Sequence, residues 1–234
     1  MAHVHLEDGA FSLEWVIIWG LIAAALIALA LYKLGGSRLP TRRMAIAAMC
    51  VAVGFVIFQV EIPIFGGLHI NLTPLMGILV GPGLGTLVVL VINIFSAAIG
   101  HGGWGMIGPN AIVNVTEVLL GYYIYRLCRM RLNAGRFASG FSAASVALAI
   151  SALLVVVIVS ISGLQDSTQT TEETFANMLL LAAANIVTGV IEGFVTGYIV
   201  SFVGKIRPDL LEDAESPRSP GDEEQAEGEG ATRV

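Results

Sequence analysis

Apolar residues run along this chain in long blocks, and the polar residues gather in the short gaps between them. Seven blocks read as helices, at roughly 13–34, 43–60, 72–80, 84–100, 108–128, 138–162 and 174–204. A stretch of about 20 apolar residues is what an α-helix needs to cross a hydrocarbon core of ~30 Å. The third block is short, and at 1.5 Å per residue it covers about 14 Å, half of such a core. Gly81-Pro82-Gly83 and Gly85 follow it, and these residues break helices. The pattern therefore predicts a hairpin of the third and fourth helices with its tip at or below mid-membrane. A dip and a full return end on one face, so the hairpin leaves the sidedness of later segments unchanged.

Lys and Arg positions in the short loops orient such a chain. Lys33, Arg38, Arg42 and Arg43 follow the first helix, Arg126, Arg129, Arg131 and Arg136 separate the fifth and sixth, and Lys205 and Arg207 follow the seventh. Segments 1–12, 61–71, 101–107 and 163–173 hold neither Lys nor Arg. The N-terminus is expected outside and the C-terminus in the cytoplasm. The chain reads as an all-α, multi-pass integral membrane protein of the cell membrane, with about seven helices and the lipid bilayer as its surroundings.

Composition agrees: 56% of the 234 residues are hydrophobic and 13% charged, about half the charge of a soluble domain. Water-soluble enzymes and nucleic-acid binders are thereby excluded. The net charge of −6 sits in the tail, where residues 209–234 carry −7 and residues 1–208 carry +1. From Pro208 on, Glu, Ser, Pro and Gly dominate, so the expected division is a membrane body over 1–207 and a disordered acidic cytoplasmic tail over 208–234. Cys50 and Cys128 lie in unlike surroundings and read as free thiols. The first apolar run lacks a basic start and an evident cleavage site, which reads against a removed signal peptide.

The candidate chemistry lies in the histidines. His3, His5, His69 and His101 are the only four, and all fall in the segments expected outside. Imidazole is the commonest metal ligand, and neutral nitrogen donors suit Ni, Cu, Zn and Co. Met1-Ala2-His3 puts an imidazole close to a free α-amine, so amine, backbone amides and imidazole can wrap one ion in the planar nitrogen set preferred by Ni(II) and Cu(II). If Met1 is removed, the set contracts to the Ala2 amine with the His3 amide and imidazole. One corner then stands open for His69 first, with His5 or His101 as the alternative. The loop Ile62-Pro63-Ile64-Phe65-Gly66-Gly67-Leu68-His69-Ile70-Asn71 suits close wrapping through its two glycines, and Asn71 could orient a histidine from behind. The glycines around His101 serve tight turns equally well.

At these residues the chain resembles the CbiM/NikM family, the substrate-binding membrane components of energy-coupling factor transporters for cobalt and nickel. His5-Leu6-Glu7-Asp8-Gly9-Ala10-Phe11 is similar to the family start M-H-I-x-D-G-F, with one extra residue before Phe11. Gly66-Gly67-Leu68-His69 matches its outer loop, and Gly108-Pro109-Asn110 with Asn114 its later G-x-N element. The likeness covers residues 1–205. It implies that the N-terminal amine, a histidine near it and the loop histidine hold the metal. His69 is carried over directly, whereas the family's early histidine falls on His5 by motif and on His3 by distance from the processed terminus. It also implies no enzyme and no permanent cofactor. The metal is cargo, taken up with a transmembrane coupling component and two ATPase subunits, and with room for a small accessory membrane protein.

No G-x-x-x-x-G-K-[ST] sequence occurs, so this chain supplies no phosphate loop. Ala45, Ala48 and Ala52 give the second helix a small-residue face that fits either a partner helix or packing within the chain. Gln59, Asn93, Asn114, Glu117, Asn185 and Glu192 are polar residues within helices, where such groups are costly and need partners. Glu117 and Glu192 read first as packing groups that pair with Asn or with each other. Read as proton carriers, they are the basis of the alternative function, a self-powered secondary metal transporter. A membrane metalloprotease is excluded by the lack of H-E-x-x-H and of any histidine inside a helix.

Overall fold

The computed structural model describes residues 9–35, 41–62, 68–164 and 171–215. Six long helices make up the body: α1 (Leu13–Gly35), α2 (Thr41–Phe58), α3 (Thr73–Ala98), α4 (Ile107–Met130), α5 (Arg136–Ser162) and α6 (Thr171–Ile206). Two short strands, β1 (Glu61–Ile62) and β2 (Leu68–His69), pair antiparallel between α2 and α3. Five of the six helices, all but α4, are long and apolar enough to cross a membrane.

The expected third and fourth helices are both present, as the two arms of α3. Gly81 interrupts it with φ 81 and ψ 171, a conformation open to glycine and costly for other residues. Eight residues of straight helix would separate Gly77 from Gly85 by about 12 Å. Instead, a Cβ on Gly85 would lie 3.5 Å from the Cα of Gly77, so the chain doubles back at Gly81 as the breaker residues predict. The tip is deep, because a Cβ on Gly83 would lie 2.9 Å from Leu34 at the Lys33 end of α1. The first arm of α3 thus starts near the middle of the body and reaches the end that carries Lys and Arg, and the second arm returns the full way.

Helices α5 and α6 pack by close backbone approach rather than by large side chains, as small residues allow between membrane helices. A Cβ on Gly193 would stand 2.2 Å from Ser145 Oγ and 3.0 Å from the Phe141 carbonyl oxygen, and one on Gly197 would stand 2.8 Å from the Phe137 carbonyl oxygen. Helix α4 is the hub. Gly121 lies against Pro74 of α3, Gly108 against Gly20 of α1, and the Trp19 indole N–H donates to Ser162 Oγ at 2.8 Å, tying α1 to α5. Large apolar side chains such as Leu21, Leu153, Leu180 and Phe202 point outward, as they do on a surface that faces lipid.

The tail begins later than its composition suggests. Pro208–Leu210 forms a 3-10 turn and Glu212–Glu215 a short helix, α7. Leu211 and Ala214 are fully buried, in one cluster with Leu75, Tyr122 and Val200. Their burial turns 208–215 into a strap across the first arm of α3 and the ends of α4 and α6. Residues 216–234 lie outside the described residues. Cys50 and Cys128 are free thiols.

Candidate functional site

The expected ligand set divides sharply. Met1, Ala2, His3 and His5 lie outside the described residues. His69 is placed by its backbone, in β2 opposite Glu61. His101 sits in the loop between α3 and α4, its main-chain N–H donating to the Ser96 carbonyl at 2.8 Å, beside the Gln59 amide that donates to Ser96 Oγ at 3.3 Å. Among the described residues, no group of three or more His, Cys, Asp or Glu side chains is placed to hold a metal ion.

What the structure does define is where the segments that carry His5 and His69 lead. Two residues after His69 the chain is deep inside the body: Asn71 and Thr73 are buried, and both engage Glu117. The Asn71 side-chain amide donates to Glu117 Oε2 at 3.2 Å, the Thr73 hydroxyl donates to the same oxygen, and the Ser151 hydroxyl donates to Oε1 at 2.6 Å. Glu117 lies about 15 Å along α4 and Ser151 about 16 Å from the end of α5 at 1.5 Å per residue, so this is mid-membrane depth. Asn71 therefore acts on Glu117, and its own Oδ1 accepts the Thr73 N–H at 3.4 Å, closing a turn that starts α3.

Glu192 of α6 completes the arrangement. Its Oε1 accepts the main-chain N–H of Asn71 at 3.3 Å and its Oε2 that of Leu72 at 3.1 Å. The first N–H groups of a helix have no partner within it, and a carboxylate there satisfies them and meets the positive end of the helix dipole. Glu117 and Glu192 are both fully buried. The expectation that they pair with Asn is met by Asn71, a loop residue. Of the helix asparagines, two form a pair of their own, Asn114 Nδ2 donating to Asn93 Oδ1 at 3.0 Å. Thr73 and Ser151, which also donate to Glu117, belong to no motif in the sequence. Their only signal was that an acid inside an apolar helix must find donors.

The N-terminal segment approaches the same level. Phe11 is buried in a cluster with Met106 and Val113 of the α4 side and Val155, Ile158 and Val159 of α5. Val113 and Val155 each stand one helical turn from the residues that meet at the node, Glu117 and Ser151. Six residues separate Phe11 from His5, a reach of up to about 20 Å when extended. His69 is within about 7 Å of Asn71 by the same measure. Phe11 and Asn71 thus both reach one region of the body, between α4 and α5.

Fold and placement together define a multi-pass membrane protein with the fold of transition metal transporters. One solved crystal structure, of a transition metal transporter, superposes with a TM-score of 0.76 at 20% identity, over 87% of this chain and 93% of that one. The chain belongs to the CbiM family, whose sequence model, "Cobalt uptake substrate-specific transmembrane region", matches residues 5–210. A relative from Archaeoglobus fulgidus that carries the name of a fused nickel transport protein, NikMN, is 28% identical over 226 residues, spanning 92% of this chain and 70% of its own. The cobalt transport protein CbiM of Sorangium cellulosum is 27% identical over 224 residues, 89% of this chain and 95% of its own.

Proposed function

We propose that this chain captures Ni(II) or Co(II) from outside the cell as the substrate-binding component of an ATP-driven uptake transporter of the energy-coupling factor type. The N-terminal amine at Met1 or Ala2, His3 or His5, and His69 supply the nitrogen donors, with His101 ranked last. The observation that carries this reading is the convergence of two segments: Phe11 is buried one helical turn from the Glu117–Ser151 contact that also anchors the chain just after His69. The names of the relatives carry both metals, nickel and cobalt. The Lys and Arg of the body among the described residues lie toward one end of the helices, which supports that end as the cytoplasmic one.

Energy comes from partner subunits in this reading, because the chain holds no phosphate loop. Ala45, Ala48 and Ala52 of α2 are exposed, so that small-residue face is not spent on packing within the chain and is open to a transmembrane partner. The chain itself acts as a carrier and not as an enzyme.

The test is calorimetric titration of Ni(II) and Co(II) on purified chain whose N-terminal residue has been determined by mass spectrometry. His69→Ala and blocking of the α-amine are each expected to abolish binding, and parental binding by both variants would refute the site. Vesicles that contain this chain alone should take up no metal with or without a proton gradient. Gradient-driven uptake by the chain alone would favour a self-powered transporter.

A further inference from the structure

Glu192 and Glu117 belong to no part of the donor set, yet both grip the segment that carries His69. Glu192 comes from α6 and receives the main-chain N–H groups of Asn71 and Leu72. Glu117 comes from α4, receives the side chains of Asn71 and Thr73, and is itself held by Ser151 of α5. Three helices therefore converge on three consecutive residues, beginning two positions after His69. Between them, Leu72 adopts the left-handed conformation, φ 52 and ψ 24, which leucine rarely enters and which persists only where surrounding contacts enforce it. The Leu72 N–H bond to Glu192 and the Thr73 N–H bond to Asn71 Oδ1 lie on either side of the Leu72 Cα and supply that enforcement.

We propose that Glu192 and Glu117 are positioning residues for the metal site. They fix the depth and direction of the chain at 71–73, so that His69 is presented to the N-terminal donors in one place rather than over a mobile loop. The proposal rests on the capture reading, and it assigns the two buried acids to pre-organisation of that site and not to proton transport. A donor set held in place binds with less loss of chain entropy, so releasing the anchor should weaken binding while leaving the donors themselves unchanged.

The experiment uses Ni(II) alone as probe, on the full chain in detergent, with Kd from calorimetry, the d–d absorption of the bound ion and thermal melting of the metal-free protein. Glu192→Leu removes both acceptors and is expected to raise Kd by tenfold or more. The absorption bands at saturation should keep the parental positions. Glu192→Gln keeps one acceptor oxygen and should fall between, and Ser151→Ala, which frees Glu117 on one side, should raise Kd severalfold. Val200→Ala, fully buried on α6 but in the Leu211 cluster, should lower the melting temperature and leave Kd unchanged, which separates positioning from general loss of stability. If Glu192→Leu fails to fold, the Gln and Ser151 variants carry the test. Folded variants of the node that bind within twofold of the parent overturn the proposal, as does a shift of the absorption bands, which would make an acid a ligand. A parent chain that binds no Ni(II) overturns the capture reading and this one with it.

Discussion

Arg136 and Glu215 form a two-pronged pair, Nε to Oε1 and Nη2 to Oε2, both at 2.9 Å. The pair joins the first residue of α5 to the last of α7. Arg129 and the Tyr125 hydroxyl, both of α4, donate to Glu215 Oε1 at 3.1 and 2.7 Å, while a further Arg136 N–H reaches the Gly204 carbonyl of α6 at 2.7 Å. One carboxylate thus closes the basic end of three helices. Burial opposes ionisation of Glu215, but the bonds from Arg136, Tyr125 and Arg129 outweigh it and hold the carboxyl at about 2, against an ordinary 4.5.

A depressed carboxyl contributes stability above its unfolded value, and loses it as pH falls through the folded one. The strap should therefore be fully held at neutral pH and loosen between about 4.5 and 2. Glu215→Ala should cost about 2 kcal/mol at neutral pH. It should also flatten the acid limb of the melting temperature over that window. Limited proteolysis after residue 207, followed against pH in parent and variant, reads the loosening directly. Equal acid sensitivity of the two chains would remove Glu215 from the latch.

The spacing of Gly189, Gly193 and Gly197 lets α6 lie directly on the backbone of α5. Gly197→Leu would drive a side chain into the Phe137 carbonyl, and overpacking of this kind costs about 3 kcal/mol. Gly193→Ala meets Ser145 Oγ first, a group that can rotate away, so it should be milder. Melting temperatures in detergent should rank parent, Gly193→Ala and Gly197→Leu in descending order. A Gly197→Leu chain as stable as the parent would mean that the two helices do not meet there.

Gly81 makes the turn of α3. No neighbouring atom lies within 4 Å of a Cβ placed on it, so space is available and the penalty of a side chain is purely conformational. Gly81→Ala should cost about 1–2 kcal/mol through its positive φ. Gly77→Ala faces the Val118 carbonyl oxygen at 2.2 Å and should be worse, although its φ suits alanine. A reversed order in thermal melting would contradict the bend.

Much of this architecture was legible in the residues. Runs of apolar residues locate the helices to within a few positions, and Gly81-Pro82-Gly83 marks the reversal in α3. What could not be read was which residues the arms bring together, because the approach of Gly85 to Gly77 depends on the backbone geometry at Gly81 and not on any local pattern. The strap escaped for a related reason. Leu211 and Ala214 are two apolar residues in an acidic run, and only the partners that meet them, Tyr122 and Val200 among them, make their burial worthwhile. At the site, the histidines and the two buried acids were visible as types. The grip of those acids on residues 71–73 was not, because it depends on Asn71 reaching the level of Glu117.

Phe11 offers the sharpest view of the N-terminal segment. It is 2% exposed in a cluster with Val113, Val155, Ile158 and Val159, and His5 lies six residues before it. If Phe11 seats that segment, Phe11→Ala should cost about 3 kcal/mol of packing. It should also weaken Ni(II) binding by about tenfold, because the donors at the terminus lose their anchor. Phe11→Leu keeps most of the apolar volume and should retain binding within a few fold. His101→Ala tests the competing placement: its main chain is tied to Ser96 at the end of α3, beside Gln59 at the end of α2, and its imidazole is ranked last among the donors. Binding should then survive His101→Ala and fall with Phe11→Ala. The opposite order would move the metal to the α2–α3 side of the body.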